Sequence, residues 1–279
     1  MHTECMTITP TMARELLLAN GSNRKLRPNN VDMLAREIRN GRWQLTHQGI
    51  ALDKDGAILD GQHRLAAIIK ADAPVEIMVT RNVPHGAILG VDAGANRTFS
   101  DRVHFEGASY SKAQAAMARI IAFGAGDTTV RSYGEITDLI EQHYEALMFA
   151  RPTAAGSHKP AAVYAVIARA WYSQDRDRLA AFKDVFQMGT ATGPEDWAAL
   201  RLRDHCYSAR AGGKTTRVEL YGRAETACWL FLNRRPATRL YQAPMELFYL
   251  PWEKDAGIQA RRRLLSQNLR TPIEAEQTP

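Results

Sequence analysis

The sequence has few cysteines and no long apolar run. Its three cysteines, Cys5, Cys206 and Cys228, are widely separated and form no Cys-x-x-Cys pair, so neither a disulfide framework nor a structural zinc site is predicted. Apolar runs such as 66–69 and 161–168 fall far short of the roughly 20 residues that a transmembrane helix needs. No basic segment leads into an apolar stretch at the N-terminus. The predicted location is the cytoplasm, with no membrane partner.

Acidic residues are scarce in the C-terminal third. Between Arg201 and Arg270 there are 14 Lys or Arg and 6 Asp or Glu, whereas residues 1–200 are neutral overall. A basic surface attracts phosphates by releasing counterions, so DNA is a predicted partner of this region. The candidate contacts stand beside aromatic residues or in a basic run: Arg234, Arg235, Arg239, Arg261, Arg262 and Arg263. The alternatives are a helix core for the aromatic residues and a solvated basic surface for the arginines.

The first hundred residues mix helix and strand signals. Thr9 precedes a proline and caps a first short helix, and a second amphipathic helix follows Pro28. Two short apolar runs flank an Asp55-Gly56 turn, which is a hairpin signal. A helix from Gln62 and a strand near 75–79 follow.

Beyond Gly107 the pattern changes to long helical segments. Six helices are predicted over 111–123, 134–150, 161–172, 175–187, 194–210 and 216–232. The predicted fold class is α+β, with a small mixed-sheet domain at 1–107 and an all-α, basic domain at 108–279. The run 211–215 has the glycines and lysine of a P-loop, but it follows a helical pattern, so an interhelical loop is predicted.

The turn at 60–64 is a candidate anion site. A strand that turns directly into a helix presents backbone N–H groups and the positive end of the helix dipole at one point. Gly61 allows close backbone approach, while His63 and Arg64 add side-chain donors. The alternative interpretation is a capped helix with a surface His-Arg pair.

The sequence LDGQHRLAA at 59–67, with the hairpin before it and the PVEIMV strand after it, resembles the ParB/sulfiredoxin superfamily over roughly residues 8–104. ParB proteins have GERRxxA at this turn and sulfiredoxins have GCHR. Free-serine kinases and DGQHR-type regulators of DNA phosphorothioation begin with Asp-Gly and retain His-Arg. The resemblance implies a ParB/sulfiredoxin-like fold that binds ATP or CTP with Mg²⁺. The implied phosphate-binding residues are Gly61, Gln62, His63 and Arg64.

Three further positions are carried over from the resemblance. Gln48 stands where the family has a Gln-Pro-Ile segment near the nucleotide base, although glycine replaces the proline here. Asn96 and Arg97 match part of the Glu-Asn-x-x-Arg element that contacts phosphates and metal. Asp92 is a candidate magnesium ligand through a water, although Asp-x-Gly is also a turn signal.

The departures from the family limit which activity is expected. Gln62 replaces the sulfiredoxin cysteine, so reduction of a sulfinic acid is not predicted. No recognisable ParB helix-turn-helix follows the domain, so partition-site binding and CTP selectivity are not carried over. Asp60 and His63 are candidate acid/base or metal-orienting groups. The alternative gives them structural roles, with Asp60 as a helix cap and His63 only as a phosphate donor.

The predicted function is a DNA-associated nucleotide-binding protein with NTPase or phosphotransferase activity, in phage-type DNA modification or its regulation. One alternative is a non-enzymatic, nucleotide-switched DNA-binding regulator. A second is a ParB-like nuclease, although the carboxylate cluster that two-metal hydrolysis needs is not recognisable in the sequence. A homodimer is compatible with each of these functions.

Overall fold

The computed structural model describes residues 1–19, 23, 25–84, 86–87, 110–153, 160–210, 215–237, 239–243 and 246–253. The chain divides into two compact units. The first consists of Met1–Ala108 with Thr128–Glu135, and the second of Ser109–Asp127 with Ile136–Pro279. The domain boundary predicted at 107/108 lies outside the described residues.

The first unit is built on a small mixed sheet. Its elements are β1 (His2–Ile8), α1 (Pro10–Leu18), α2 (Pro28–Arg39), β2 (Ile50–Leu52), β3 (Ile58–Asp60), α3 (Gln62–Ala71) and β4 (Val75–Arg81). The strand order is β1-β4-β2-β3. β1 and β4 are antiparallel, as are β2 and β3, whereas β2 and β4 are parallel. The predicted α+β class with a small mixed sheet is confirmed, and β1 is a strand that was not predicted.

Local polar contacts explain where these elements begin and turn. The Thr9 hydroxyl accepts a hydrogen bond from the Met12 N–H at 3.2 Å and so caps α1. Asp53 Oδ1 accepts the N–H groups of Asp55 and Ala57 at 2.9 and 2.8 Å, which closes the turn between β2 and β3. Gly56 has a φ of 83°, a value that glycine adopts without strain. The predicted hairpin is confirmed.

The core of this unit lies between the sheet and its helices. Along β4 the residues Val75, Ile77 and Val79 are buried and Glu76 is exposed, which is the alternation of a strand with one covered face. Leu65 and Ile68 of α3 are fully buried in the same cluster. Full burial of one such side chain stabilises the fold by about 1.5–3 kcal/mol, so α3 is firmly held against the sheet.

The elements described between 110 and 253 are all helical. They are α4 (Lys112–Phe123), α5 (Tyr133–Gln142), α6 (Tyr144–Ala150), α7 (Ala161–Ala170), α8 (Arg176–Met188), a single 3₁₀ turn (Pro194–Asp196), α9 (Trp197–Arg210) and α10 (Arg217–Leu232). α7 is buried from Ala162 to Ala170 and packs against α4, α6 and α10. No helix among the described residues combines the length and the apolarity that crossing a bilayer requires.

Two of the predicted helices differ from the structure by more than a shift of their end residues. The single helix predicted over 134–150 is two helices, because the chain turns at His143, where φ is −109° and ψ is 15°. The His143 ring is buried and its Nδ1 forms a hydrogen bond with the Tyr172 hydroxyl at 2.8 Å. The helix predicted over 194–210 begins with the 3₁₀ turn and becomes α-helical at Trp197.

Candidate functional site

Gly61 connects β3 to α3 in a conformation that favours glycine. Its φ is 102° and its ψ is 1°, in the left-handed region. A Cβ at this position would lie 3.0 Å from the Ile50 Cα and 3.1 Å from the Gly49 oxygen. The close approach that Gly61 permits in this structure is therefore to the backbone of β2. This contact starts α3 directly beside the hairpin.

His63 links the first turn of α3 to the start of α2. Its Nε2 accepts a hydrogen bond from the backbone N–H of Arg27 at 2.9 Å. Because Nε2 is the acceptor, the neutral ring carries its proton on Nδ1. Arg27 occupies the N-cap position of α2. The sequence predicted a helix after Pro28 but did not indicate a contact between Arg27 and His63.

α2 and α3 lie side by side with their N-termini at the same end. The bond between Arg27 and His63 joins their N-terminal ends, and the Arg39 guanidinium at the end of α2 donates to the Lys70 carbonyl near the end of α3. Along their described lengths, neither helix has a side-chain N-cap bond or an acidic residue in its first turn. Two helix dipoles thus bring their positive ends together, an arrangement that favours a bound anion.

Arg64 lies between the start of the hairpin and the end of β3. Its Nη1 donates to the Gly49 carbonyl and its Nη2 to Gln48 Oε1, both at 3.1 Å. Asp60 Oδ2 lies 3.6 Å from Nη1. The structure therefore brings together Gln48, Asp60 and Arg64, three of the residues that the sequence proposed for one site. The Arg64 side chain is 22% exposed, so part of it faces solvent.

The structural role suggested for Asp60 as a helix cap is wrong. The N-cap of α3 is Gly61, and α3 has no side-chain cap bond. The Asp60 carboxylate faces Arg64 instead. Gln62, which the sequence placed among the phosphate-binding residues, is buried at 5% exposure as the first residue of α3.

No protein-family model, curated protein or solved structure matches this chain. The resemblance to the ParB/sulfiredoxin superfamily therefore depends on the motif residues themselves. Asn96 and Arg97, carried over from that resemblance, and Asp92, the candidate magnesium ligand, lie outside the described residues. Among the residues that are described, no group of three or more His, Cys, Asp or Glu side chains is arranged to hold a metal ion.

The candidate DNA contacts that the structure describes follow the end of α10. Arg234 is exposed and has a φ of 53°, and Arg239 is also exposed. The Arg235 guanidinium lies over the Trp229 ring at 5.3 Å from its centroid. Arg261, Arg262 and Arg263 lie outside the described residues.

Other arginines of the second unit bind backbone carbonyls of the protein. Arg203 donates to the Phe186 and Gln187 carbonyls at 3.2 and 2.9 Å, at the C-terminal end of α8. Arg217 and Arg223 likewise donate to carbonyls of this unit. Cations at the end of a helix satisfy its last carbonyls and interact favourably with its dipole. Part of the positive charge counted between Arg201 and Arg270 is therefore used inside the fold, which the sequence did not indicate.

Proposed function

We propose that the first unit binds the phosphates of ATP or CTP where α2 and α3 begin, and that the protein is a DNA-associated NTPase or phosphotransferase. The observation that supports this proposal is the pairing of two helix N-termini around His63, next to Arg64 and Gln48. Two uncapped N-termini and a guanidinium attract a phosphate chain more strongly than one helix end does. The DGQHR motif, which resembles that of ParB/sulfiredoxin domains, occupies this turn.

Each residue then has a separate task. Backbone N–H groups at the N-terminal end of α3 bind phosphate oxygens, and His63 donates from Nδ1 while Nε2 keeps its bond to Arg27. Arg64 neutralises charge on the transferred phosphoryl group. Magnesium, when bound with the nucleotide, neutralises further phosphate charge and keeps several of its waters. Asp60 is the described carboxylate beside Arg64 and is the proposed group that orients water or an acceptor hydroxyl.

Nucleotide binding is tested by calorimetric titration of the full chain with ATP, ADP, CTP and GTP in the presence of Mg²⁺. Loss of a charged hydrogen bond costs about 1.5–3 kcal/mol, so Arg64→Ala should weaken the Kd of the preferred nucleotide by about ten-fold or more. The matched control is Arg14→Ala, which removes an exposed arginine from α1 of the same unit. If no nucleotide binds to the wild-type chain, or if both variants bind as the wild type does, the proposed site is wrong.

One observation favours the non-enzymatic regulator as a second candidate. The Asp60 carboxylate, the proposed orienting group, lies 3.6 Å from the Arg64 guanidinium. A carboxylate that faces an arginine can serve to hold that side chain in place without taking part in a reaction. Release of phosphate from the bound nucleotide distinguishes the two candidates. Turnover that Asp60→Asn abolishes supports the enzyme, while tight binding without turnover supports the regulator.

A further inference from the structure

A buried arginine organises the polar interior of the second unit. Arg169 of α7 is 3% exposed. Its Nη1 donates to the Ile121 carbonyl of α4 at 2.7 Å, and its Nε donates to the Phe248 carbonyl at 2.6 Å. Its Nη2 donates to the Glu253 carboxylate, and its Nε lies 3.1 Å from Glu246 Oε2. One guanidinium therefore connects two helices to the segment 246–253.

Two carboxyl groups meet beside this arginine. Glu225 of α10 is 1% exposed, and its Oε1 accepts the Leu247 N–H at 2.7 Å. The Glu225 carboxyl group lies close enough to that of Glu246 for a hydrogen bond to form between them. The Tyr221 hydroxyl donates to Glu246 Oε2 at 2.6 Å. A hydrogen bond between two carboxyl groups requires a proton on one of them.

The charge balance of the cluster indicates whether Glu225 is protonated. Glu246 and Glu253 already provide two carboxylates for the single guanidinium of Arg169. A third, fully buried carboxylate would have no cation to pair with, and burying an unpaired charge is strongly unfavourable. We propose that Glu225 is protonated at neutral pH and that its proton, shared with Glu246, is a latch that holds the segment 246–253 against α4, α7 and α10.

Three described neighbours of the cluster, Tyr221, Cys228 and His143, are uncharged at neutral pH. Burial raises the pKa of Tyr221 and of Cys228, both on α10, well above their usual values. Burial and the nearby Arg169 lower the pKa of His143, between α5 and α6, to about 4. Burial and the neighbouring Glu246 raise the pKa of Glu225 well above that of an ordinary glutamate. None of these neighbours can supply the charge that an ionised Glu225 would need.

The latch depends on pH in a defined direction. The folded state holds the Glu225 proton at pH values where the opened state, with an ordinary glutamate, has lost it. The stabilisation is therefore complete below the ordinary glutamate pKa and is lost as the pH rises toward the raised one. Opening of the segment should become easier with rising pH by about ten-fold in its equilibrium constant per pH unit.

Hydrogen exchange of the full chain, followed by mass spectrometry, measures this opening at the Leu247 and Leu250 amides. Glu225→Gln keeps both hydrogen bonds, since its amide oxygen accepts from Leu247 and its amide nitrogen donates to Glu246, but it has no proton to lose. Intrinsic exchange rates cancel in the ratio of wild-type to variant rates at one pH. We expect this ratio to rise by about ten-fold per pH unit between about pH 5.5 and pH 7.

Two further variants keep the experiment decisive. Glu141→Gln removes an exposed carboxylate of α5, so its ratio to the wild type should stay constant with pH. Glu246→Gln removes the neighbouring carboxylate that, after burial, raises the pKa of Glu225. Glu225 should therefore lose its proton at a lower pH in this variant, and the ratio of wild-type to variant rates should rise above that pH. Glu246→Gln serves as the test if Glu225→Gln does not fold. A ratio of wild-type to variant rates that is independent of pH, for Glu225→Gln or for Glu246→Gln, would overturn the proposed latch.

Discussion

At the scale of single residues, the side chains of the DGQHR turn already have partners in the protein. His63 accepts from Arg27, and Arg64 uses N–H groups for Gly49 and Gln48. A guanidinium has five N–H donors, so these two bonds orient Arg64 without using all of its donors. The turn is therefore preorganised, and a phosphate would not have to order its side chains. Preorganisation of this kind lowers the entropic cost of binding.

Gly61 should tolerate an added side chain poorly. Gly61→Ala places a Cβ on a left-handed backbone, at 3.0 Å from the Ile50 Cα and 3.1 Å from the Gly49 oxygen. Because both the backbone conformation and the close contacts are unfavourable, we expect a loss of about 2–4 kcal/mol in the free energy of unfolding. Gly56→Ala is the control, because its φ is 83° but nothing lies within 4 Å. Urea unfolding should show a loss of only about 1–2 kcal/mol there. Equal losses would mean that β2 moves away readily.

His143 should make the protein less stable in acid. Its pKa is lowered to about 4 in the fold by burial and by Arg169, whereas the unfolded chain titrates near 6.5. The contribution of neutral His143 to the free energy of unfolding is therefore complete above the pKa of the unfolded chain. It is lost as the pH falls toward the pKa of the folded protein, by about 3 kcal/mol in all. In His143→Gln this loss should be absent from urea unfolding between about pH 7 and pH 4. His47→Gln, at an exposed position, should behave like the wild type; a similar acid loss in His143→Gln would contradict the assignment.

At the scale of elements, the parts with local signals were predictable and the pairings between distant parts were not. The hairpin was predicted because Asp53 and Gly56 form its turn within a few residues of both strands. β1 was missed because its inward face offers only Met6 and Ile8 as apolar residues, and its partner β4 lies about seventy residues away. Periodicity predicts an element, but it does not show which distant strand will pair with it.

The candidate site illustrates the same limit. The motif residues and the start of α2 were each visible in the sequence, but the parallel arrangement of α2 and α3 was not. That arrangement depends on the bond between Arg27 and His63 and on the contact of Arg39 with Lys70, each of which joins residues more than thirty positions apart. The candidate anion site depends on this pairing, because two adjacent helix N-termini attract an anion more strongly than one does.

At the scale of the whole chain, the surplus of positive charge is less available than its total of +6 suggests. Arg169 is buried, and Arg203, Arg217 and Arg223 donate to backbone carbonyls. A count of charges treats every arginine as a surface residue, because sequence alone does not show which guanidinium groups end against a helix terminus. Arg234 and Arg239, which are exposed in the described part of the chain, are therefore the better candidates for a DNA contact.

DNA binding can be separated from structural use of arginine by its salt dependence. Fluorescence anisotropy with a labelled duplex should give a Kd that weakens steeply as salt rises, because bound phosphates release counterions. Arg234→Ala should lower the slope of log Kd against log salt by about one, the effect of one lost phosphate contact. Arg203→Ala should leave that slope unchanged, since its guanidinium is held by the Phe186 and Gln187 carbonyls, but it should lower the free energy of unfolding by about 1–2 kcal/mol. A wild-type chain that fails to bind DNA even at low salt would reject DNA as the partner, and equal slopes for Arg234→Ala and the wild type would exclude Arg234 from the interface.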